Sequence, residues 1–448
     1  MTTKRAAHIV AAAGICFAMV LGAAAERFLA PFSDVKPVLE AMRDQLPPEL
    51  SNAGEASWNS WSRRQDTEIR ARLEQGEVDS MINLLLFGTS FTKRPRIHFE
   101  SLAEDTKSGL LRSRVEDLLQ GVRTPGDNER LTFLRNLLRR QGLDPDSDDG
   151  KTGLFVFQNL QRVLLENNKF AQRTANGSPG QGAPFRDRGV SLDTSILPNF
   201  SIEETLRDLK NRGLLGQGSV ARAAVIGPGL DFTDKESGYD YYPQQTIQPF
   251  AVYDSIERLG LAKLAGVSIT VFDISSRVLE HMQRARERAQ KGRGYAIQLP
   301  RESGDPGASW KPAAIEYWRA FGDHAGKSVA PIRPPVELKG LVTRAVEIRP
   351  AVVLSSEPVD LNVVLDRMNL PAAERFDLIV ATNVFVYYGP LELSLALQNV
   401  STLLKPGGIL LSNDDLGEIP QIPMRRLGAT AVRYTDSLVD SVVWYRRQ

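Results

Sequence analysis

The residues of this 448-residue chain best placed to do chemistry stand directly after short apolar runs in its second half. Gly227-Pro228-Gly229-Leu230-Asp231 follows the run 221–226, and Asp273 follows 267–272. Thr382-Asn383, with Tyr387 and Tyr388 close behind, follows 376–381, and Asn413-Asp414-Asp415 follows the run from Ile409. Runs of this length suit strands buried on both faces of a parallel sheet. In open α/β sheets ligands bind just outside the carboxyl ends of the strands, so polar residues there are site candidates. Glycines at 227 and 229 let the backbone turn sharply and a ligand approach with no Cβ in the way. A carboxylate at the tip of the second strand, Asp273, is placed to accept hydrogen bonds from both hydroxyls of a ribose. Its separation from Gly229 is about double the usual ~20 residues. An insertion over 231–250, rich in acids and in Tyr239, Tyr241 and Tyr242, accounts for the excess, and reads either as a solvated loop or as a lid over the adenosine or the substrate mouth.

The elements that must position these residues are clearest over 376–414. A strand at 376–381 leads through the polar tip to a helix carrying Leu391, Leu395, Leu397 and Val400. Lys405-Pro406-Gly407-Gly408 ends the helix and Ile409 opens the next strand. The words FDLIVATN and, about twenty residues on, LLKPGGILL resemble the class I S-adenosylmethionine-dependent methyltransferases. N-V-F-V-Y-Y is similar to their chemotaxis-receptor branch. The resemblance covers roughly residues 201–448. It implies an α/β fold: a doubly wound, Rossmann-like, mostly parallel sheet with a terminal antiparallel strand, from 429–434 and 441–445, preceded here by an α-helical domain. It also implies S-adenosylmethionine as cofactor, with Gly227 and Gly229 at its amino-acid end, Asp273 at the ribose, Asp360-Leu361 beside the adenine, and Asn383 holding cofactor or acceptor. Asp231 stands where the family has its third glycine and Val225 where it has an acid. The acceptor, a small molecule or a protein, is not specified. A hydroxyl or amine acceptor needs a base, for which Tyr387, Tyr388, Asp414 and Asp415 are in place, whereas a carboxylate needs none. The other class of function is a non-catalytic exported binding or scaffold protein that keeps this fold. A dinucleotide fingerprint would want glycine at Phe232.

Lysine plus arginine total 55 and aspartate plus glutamate 54, which gives no electrostatic case for nucleic acid. The arginines from Arg277 to Arg293 read as the solvated face of an amphipathic helix. Cys16 is the single cysteine, and His98, His281 and His324 are far apart without HExxH spacing, so neither a disulfide nor a metal site is expected. Lys4-Arg5, the apolar run 6–25 and Ala23-Ala24-Ala25 read as a signal peptide, with residues 1–25 removed and the chain exported. Left uncleaved, 6–25 would anchor it and make its membrane contact; a cytoplasmic location is the alternative. Helical periodicity over 26–175 reads as a bundle of five to seven helices into which Trp58 and Trp61 pack. Asp144, Asp146, Asp148 and Asp149 read as a solvated turn, since EF-hand spacing wants glycine at Asp149 and glutamate at Phe155. Residues 176–200 form a linker, and a helix over 202–214, capped by Ser201, opens the domain 201–448. The third strand is expected within 344–354, and an insertion over 295–340 on the substrate side.

Overall fold

The computed structural model describes residues 26–448 apart from 53, 98–108, 148, 176–195, 234–238, 265, 303–309, 339 and 437. The expected export segment and most of the linker lie outside the described residues. Seven strands form the central sheet: β1 (Arg222–Ile226), β2 (Ser268–Asp273), β3 (Ser356–Asp360), β4 (Phe376–Ala381), β5 (Leu404–Ser412), β6 (Met424–Arg433) and β7 (Val439–Arg447). Their spatial order is β6-β7-β5-β4-β1-β2-β3. All run parallel except β7, which pairs antiparallel with both β5 and β6. The chain's last strand is therefore the antiparallel one, slotted between β5 and β6. The order reverses at β1, whose neighbours are β2 and β4, and such a switch point opens a crevice at the strand ends.

Alternation along the buried strands feeds two layers. Ala223 and Val225 face a core with Leu206, Phe250 and Met282. Ala224 and Ile226 face one with Phe272, Ile379 and Leu395. The second core also contains Val35, Val38, Trp58 and Trp61 from the N-terminal region. The two tryptophans stack with centroids 5.4 Å apart, and Trp58 Nε1 donates to the Ala30 carbonyl at 2.8 Å. They thus pack beneath the sheet and not inside the bundle. The reason is the length of their helix, Glu55–Phe87: 33 residues extend about 50 Å, enough to serve two cores. Its second half joins helices Leu110–Arg123, Glu129–Arg140 and Asp149–Ala175 around Leu84, Leu85, Leu118, Leu134, Leu137 and Val156.

That bundle grips the segment leaving β1. Asp240, buried, accepts the backbone N–H and hydroxyl of both Thr89 and Ser90 at 2.6–3.0 Å. Arg130, also buried, donates to the carbonyls of Phe232 and Tyr242. The described part of the tyrosine-rich insertion is therefore a strut between sheet and bundle, with Tyr239 and Tyr242 buried, and neither a solvated loop nor a lid.

Two further expectations change. The helix before β1 is Leu197–Asn211, with Pro198 in its first turn; Ser201 lies inside it and donates to the Pro198 carbonyl at 2.9 Å. Residues 344–354 do not supply the third strand. Leu341–Ile348 belongs to a separate antiparallel sheet with Tyr295–Glu302 and Gly326–Val329, and the third strand is Ser356–Asp360. The solvated-turn expectation agrees with the bonds of its first part, where Asp144 accepts Ser147 Oγ at 2.7 Å and Asp146 pairs with Arg135 and Arg139; Asp148 lies outside the described residues and Asp149 begins the helix Asp149–Ala175.

Candidate functional site

A cleft opens at the carboxyl ends of β1, β2 and β4. It is lined by Ile226, Gly227, Gly229, Phe272, Asp273, Ile274, Leu361, Val363, Asn383, Val384, Tyr387, Tyr388 and, from the long N-terminal helix, Leu73. The empty space, open mouth included, is about 530 Å³. Asp273 ends its buried strand and Asn383 lies just past another, where the apolar run stops, and Tyr387 and Tyr388 follow in the short turn after Asn383.

The glycines are required by their geometry. Gly227 and Gly229 have φ of 63° and 66°, in the left-handed region, and a Cβ on Gly227 would meet Val384 Cγ2 at 2.6 Å. The turn is closed onto the neighbouring strand by Gly227 N–H donating to the Phe272 carbonyl at 2.8 Å.

Asp273 ends β2 in a buried position. Burial pushes its carboxyl up to about 7, opposed by the backbone amides of Ser275 and Ile274. One oxygen accepts Ser275 N–H at 2.8 Å, so the residue opens the following helix as well as lining the cleft. Leu361 lines the cleft beside it and is tied to it, its N–H donating to the Asp273 carbonyl at 3.1 Å.

Asn383 is the non-glycine residue with positive φ among the described residues, at 59°. Its N–H donates to Asn413 Oδ1 at 2.8 Å, and Asn413 Nδ2 donates to Asn383 Oδ1 at 2.6 Å. This reciprocal pair joins the tips of β4 and β5. Tyr387 and Tyr388 line the wall that follows. The described lining residues with a titratable side chain are Asp273, Tyr387 and Tyr388.

The structure brings together Gly227, Gly229, Asp273, Leu361, Asn383 and Tyr387. Two expected cofactor residues sit outside the lining. Asp231 is buried, with Oδ2 accepting Tyr242 OH and Gln245 Nε2 at 2.9 Å each. Asp360, at the tip of β3, pairs with Arg70 Nη2 at 2.9 Å and Arg27 Nη1 at 3.0 Å. Of the four candidate bases, Asp414 and Asp415 also stand off the lining. Burial pushes the Asp414 carboxyl up to about 6, opposed by hydrogen bonds from the backbone amides of Val386 and Phe385. Asp415 accepts Tyr445 OH at 2.8 Å. Leu73, in the lining, Arg70 and Arg72, whose Nη2 donates to the Tyr387 carbonyl at 2.9 Å, were not found from sequence. They lie some 150 residues upstream on a helix of mixed polarity, with no local pattern pointing to the cleft.

No family model matches this chain, and no curated protein does. Among solved structures, the N-methyltransferase NodS of Bradyrhizobium japonicum aligns over 55% of this chain and 97% of its own, at 13% identity and a TM-score of 0.26. A TehB-like SAM-dependent methyltransferase of Corynebacterium glutamicum covers 57% of this chain and 100% of its own, at 9% identity and 0.25. The magnesium protoporphyrin IX methyltransferase of Synechocystis, solved with SAM bound, covers 56% and 81%, at 10% identity and 0.27. At such identities and scores the fold of this chain rests on its own strand order.

Proposed function

We propose that this chain binds S-adenosylmethionine in the cleft and transfers its methyl group to an acceptor, by a class I methyltransferase mechanism. The observation that supports this best is convergence: the glycine turn, a buried carboxylate, an apolar residue and an asparagine, each at the end of a different segment, line one cleft at the switch point of the sheet. When bound, the sulfonium supplies an activated methyl group. The chain's residues align and shield it: Gly227 and Gly229 receive the amino-acid end, Asp273 accepts from the ribose hydroxyls, and Leu361 and Val363 pack on the base. Asn383, fixed by Asn413, orients cofactor or acceptor at the reacting end. In-line displacement asks for alignment and exclusion of water, which a narrow cleft of this lining provides. For a hydroxyl or amine acceptor, Tyr387 would take the proton as its phenolate, becoming the neutral phenol.

The acceptor class, small molecule or protein, stays open within this proposal, with no role for nucleic acid. Residues 6–25 are proposed as an export signal or anchor, and a reporter fused after Glu26 tests that. Calorimetric titration of S-adenosylmethionine into residues 26–448, with NAD as control, tests the function. Micromolar binding of the first alone is the expected result. A folded sample that binds neither would contradict the proposal and return the chain to a binding or scaffold role.

A further inference from the structure

Both oxygens of Asp360 are occupied by cations, and one of those cations reaches in from the helix that lines the cleft. Arg70 donates Nη2 to Asp360 Oδ1 at 2.9 Å and Nη1 to the Ile274 carbonyl at 3.1 Å, while Nε is held by Asp66 at 3.0 Å. Asp66 is itself fixed by Asn362 Nδ2 at 2.8 Å. A single guanidinium therefore bridges the tips of β2 and β3, beside Asp273 and Leu361, where the nucleoside end of a ligand would enter. Leu73, one turn further along the same helix, forms the cleft wall.

The helix backbone is anchored. Trp58 and Ile69 are fully buried under the sheet, so lifting this half of the helix would expose a core. The Arg70 side chain is different: it is 30% exposed and its partner Asp360 42% exposed, so the guanidinium can turn out to solvent while the helix backbone stays in place, once a ligand replaces it on Asp360 and the Ile274 carbonyl. We infer that Arg70 is a side-chain gate at the nucleoside end of the cleft, closed on Asp360 and the Ile274 carbonyl in the free protein and swung out when a ligand takes those acceptors. The inference rests on the proposed cofactor site. It assigns a role to the N-terminal helix and explains why Asp360, at the expected position on β3, stands outside the cleft lining.

The test is the association rate of S-adenosylhomocysteine with surface-captured protein, for wild type, Arg70→Ala and Arg70→Lys, at low and high salt. A gate predicts association roughly two- to five-fold faster in Arg70→Ala, the range that loss of a partly exposed ion pair supports, with Arg70→Lys intermediate. It also predicts that salt speeds the wild type more than Arg70→Ala. Equal rates in wild type and Arg70→Ala would overturn the gate while leaving the cofactor site standing. Loss of binding in a folded Arg70→Ala variant would also overturn it, because Arg70 would then be holding the ligand. Binding by none of the three folded proteins would remove both the site and its gate.

Discussion

Asp273 is where the chemistry of a single group makes the sharpest demand. Its folded-state value of about 7 lies above the ordinary carboxylate value of 3.8, so between these the folded chain keeps a proton that the unfolded chain has lost. Stability from this group is therefore present at low pH and declines as pH rises through that window. Wild type should lose stability relative to Asp273→Asn between about pH 4 and 7, measured by denaturant melts at each pH. Ligand binding should move the other way, because the ionised carboxylate is the stronger acceptor for ribose hydroxyls. S-adenosylmethionine affinity should rise through pH 7 in wild type and stay flat in Asp273→Asn; a flat wild-type profile would count against the assigned role. Asp273, Gly227, Gly229 and Asn383 were legible in the sequence because each ends an apolar run. The partners that draw Asp231 and Asp360 away, Tyr242, Gln245 and Arg70, were not, since side-chain pairing between distant segments leaves no local trace.

Turns and strands decide the next scale. Gly227→Ala would place a Cβ against Val384 in a left-handed conformation, and should cost about 1–3 kcal/mol by chemical denaturation. Adding Val384→Ala should recover part of that, since the clash is with a side chain while the backbone strain remains. Full recovery would mean that conformation at 227 is unimportant. The strands β1, β2, β4 and β5 were readable as buried apolar runs. β3 was not: Ser356-Glu357-Pro358-Val359-Asp360 is a half-buried edge strand carrying a proline, tolerated at an edge but giving no hydrophobic signal. The better-looking strand, Leu341–Ile348, went to the inserted sheet, because alternation announces a strand without saying which sheet it joins.

For the molecule as a whole, sheet and bundle are coupled by the shared helix Glu55–Phe87 and by the polar contacts of Asp240 and Arg130. Asp240→Ala would strip a buried acceptor from two amides and two hydroxyls and should cost roughly 2–4 kcal/mol. In calorimetry it should split unfolding into two transitions, the bundle melting first. A single transition at the wild-type temperature would show that the strut is dispensable. A helical region before an α/β domain was visible from periodicity. That its longest helix belongs to both cores was not, because a helical face does not name the surface that will cover it. The central claim is that the cleft at the ends of β1, β2 and β4 holds S-adenosylmethionine, and a crystal structure of the complex with S-adenosylhomocysteine tests it most directly. The ribose should be found within hydrogen-bonding distance of Asp273, and the amino-acid end against the turn at Gly227 and Gly229. Ligand bound elsewhere, or a well-ordered protein with that cleft empty at saturating ligand, would contradict it.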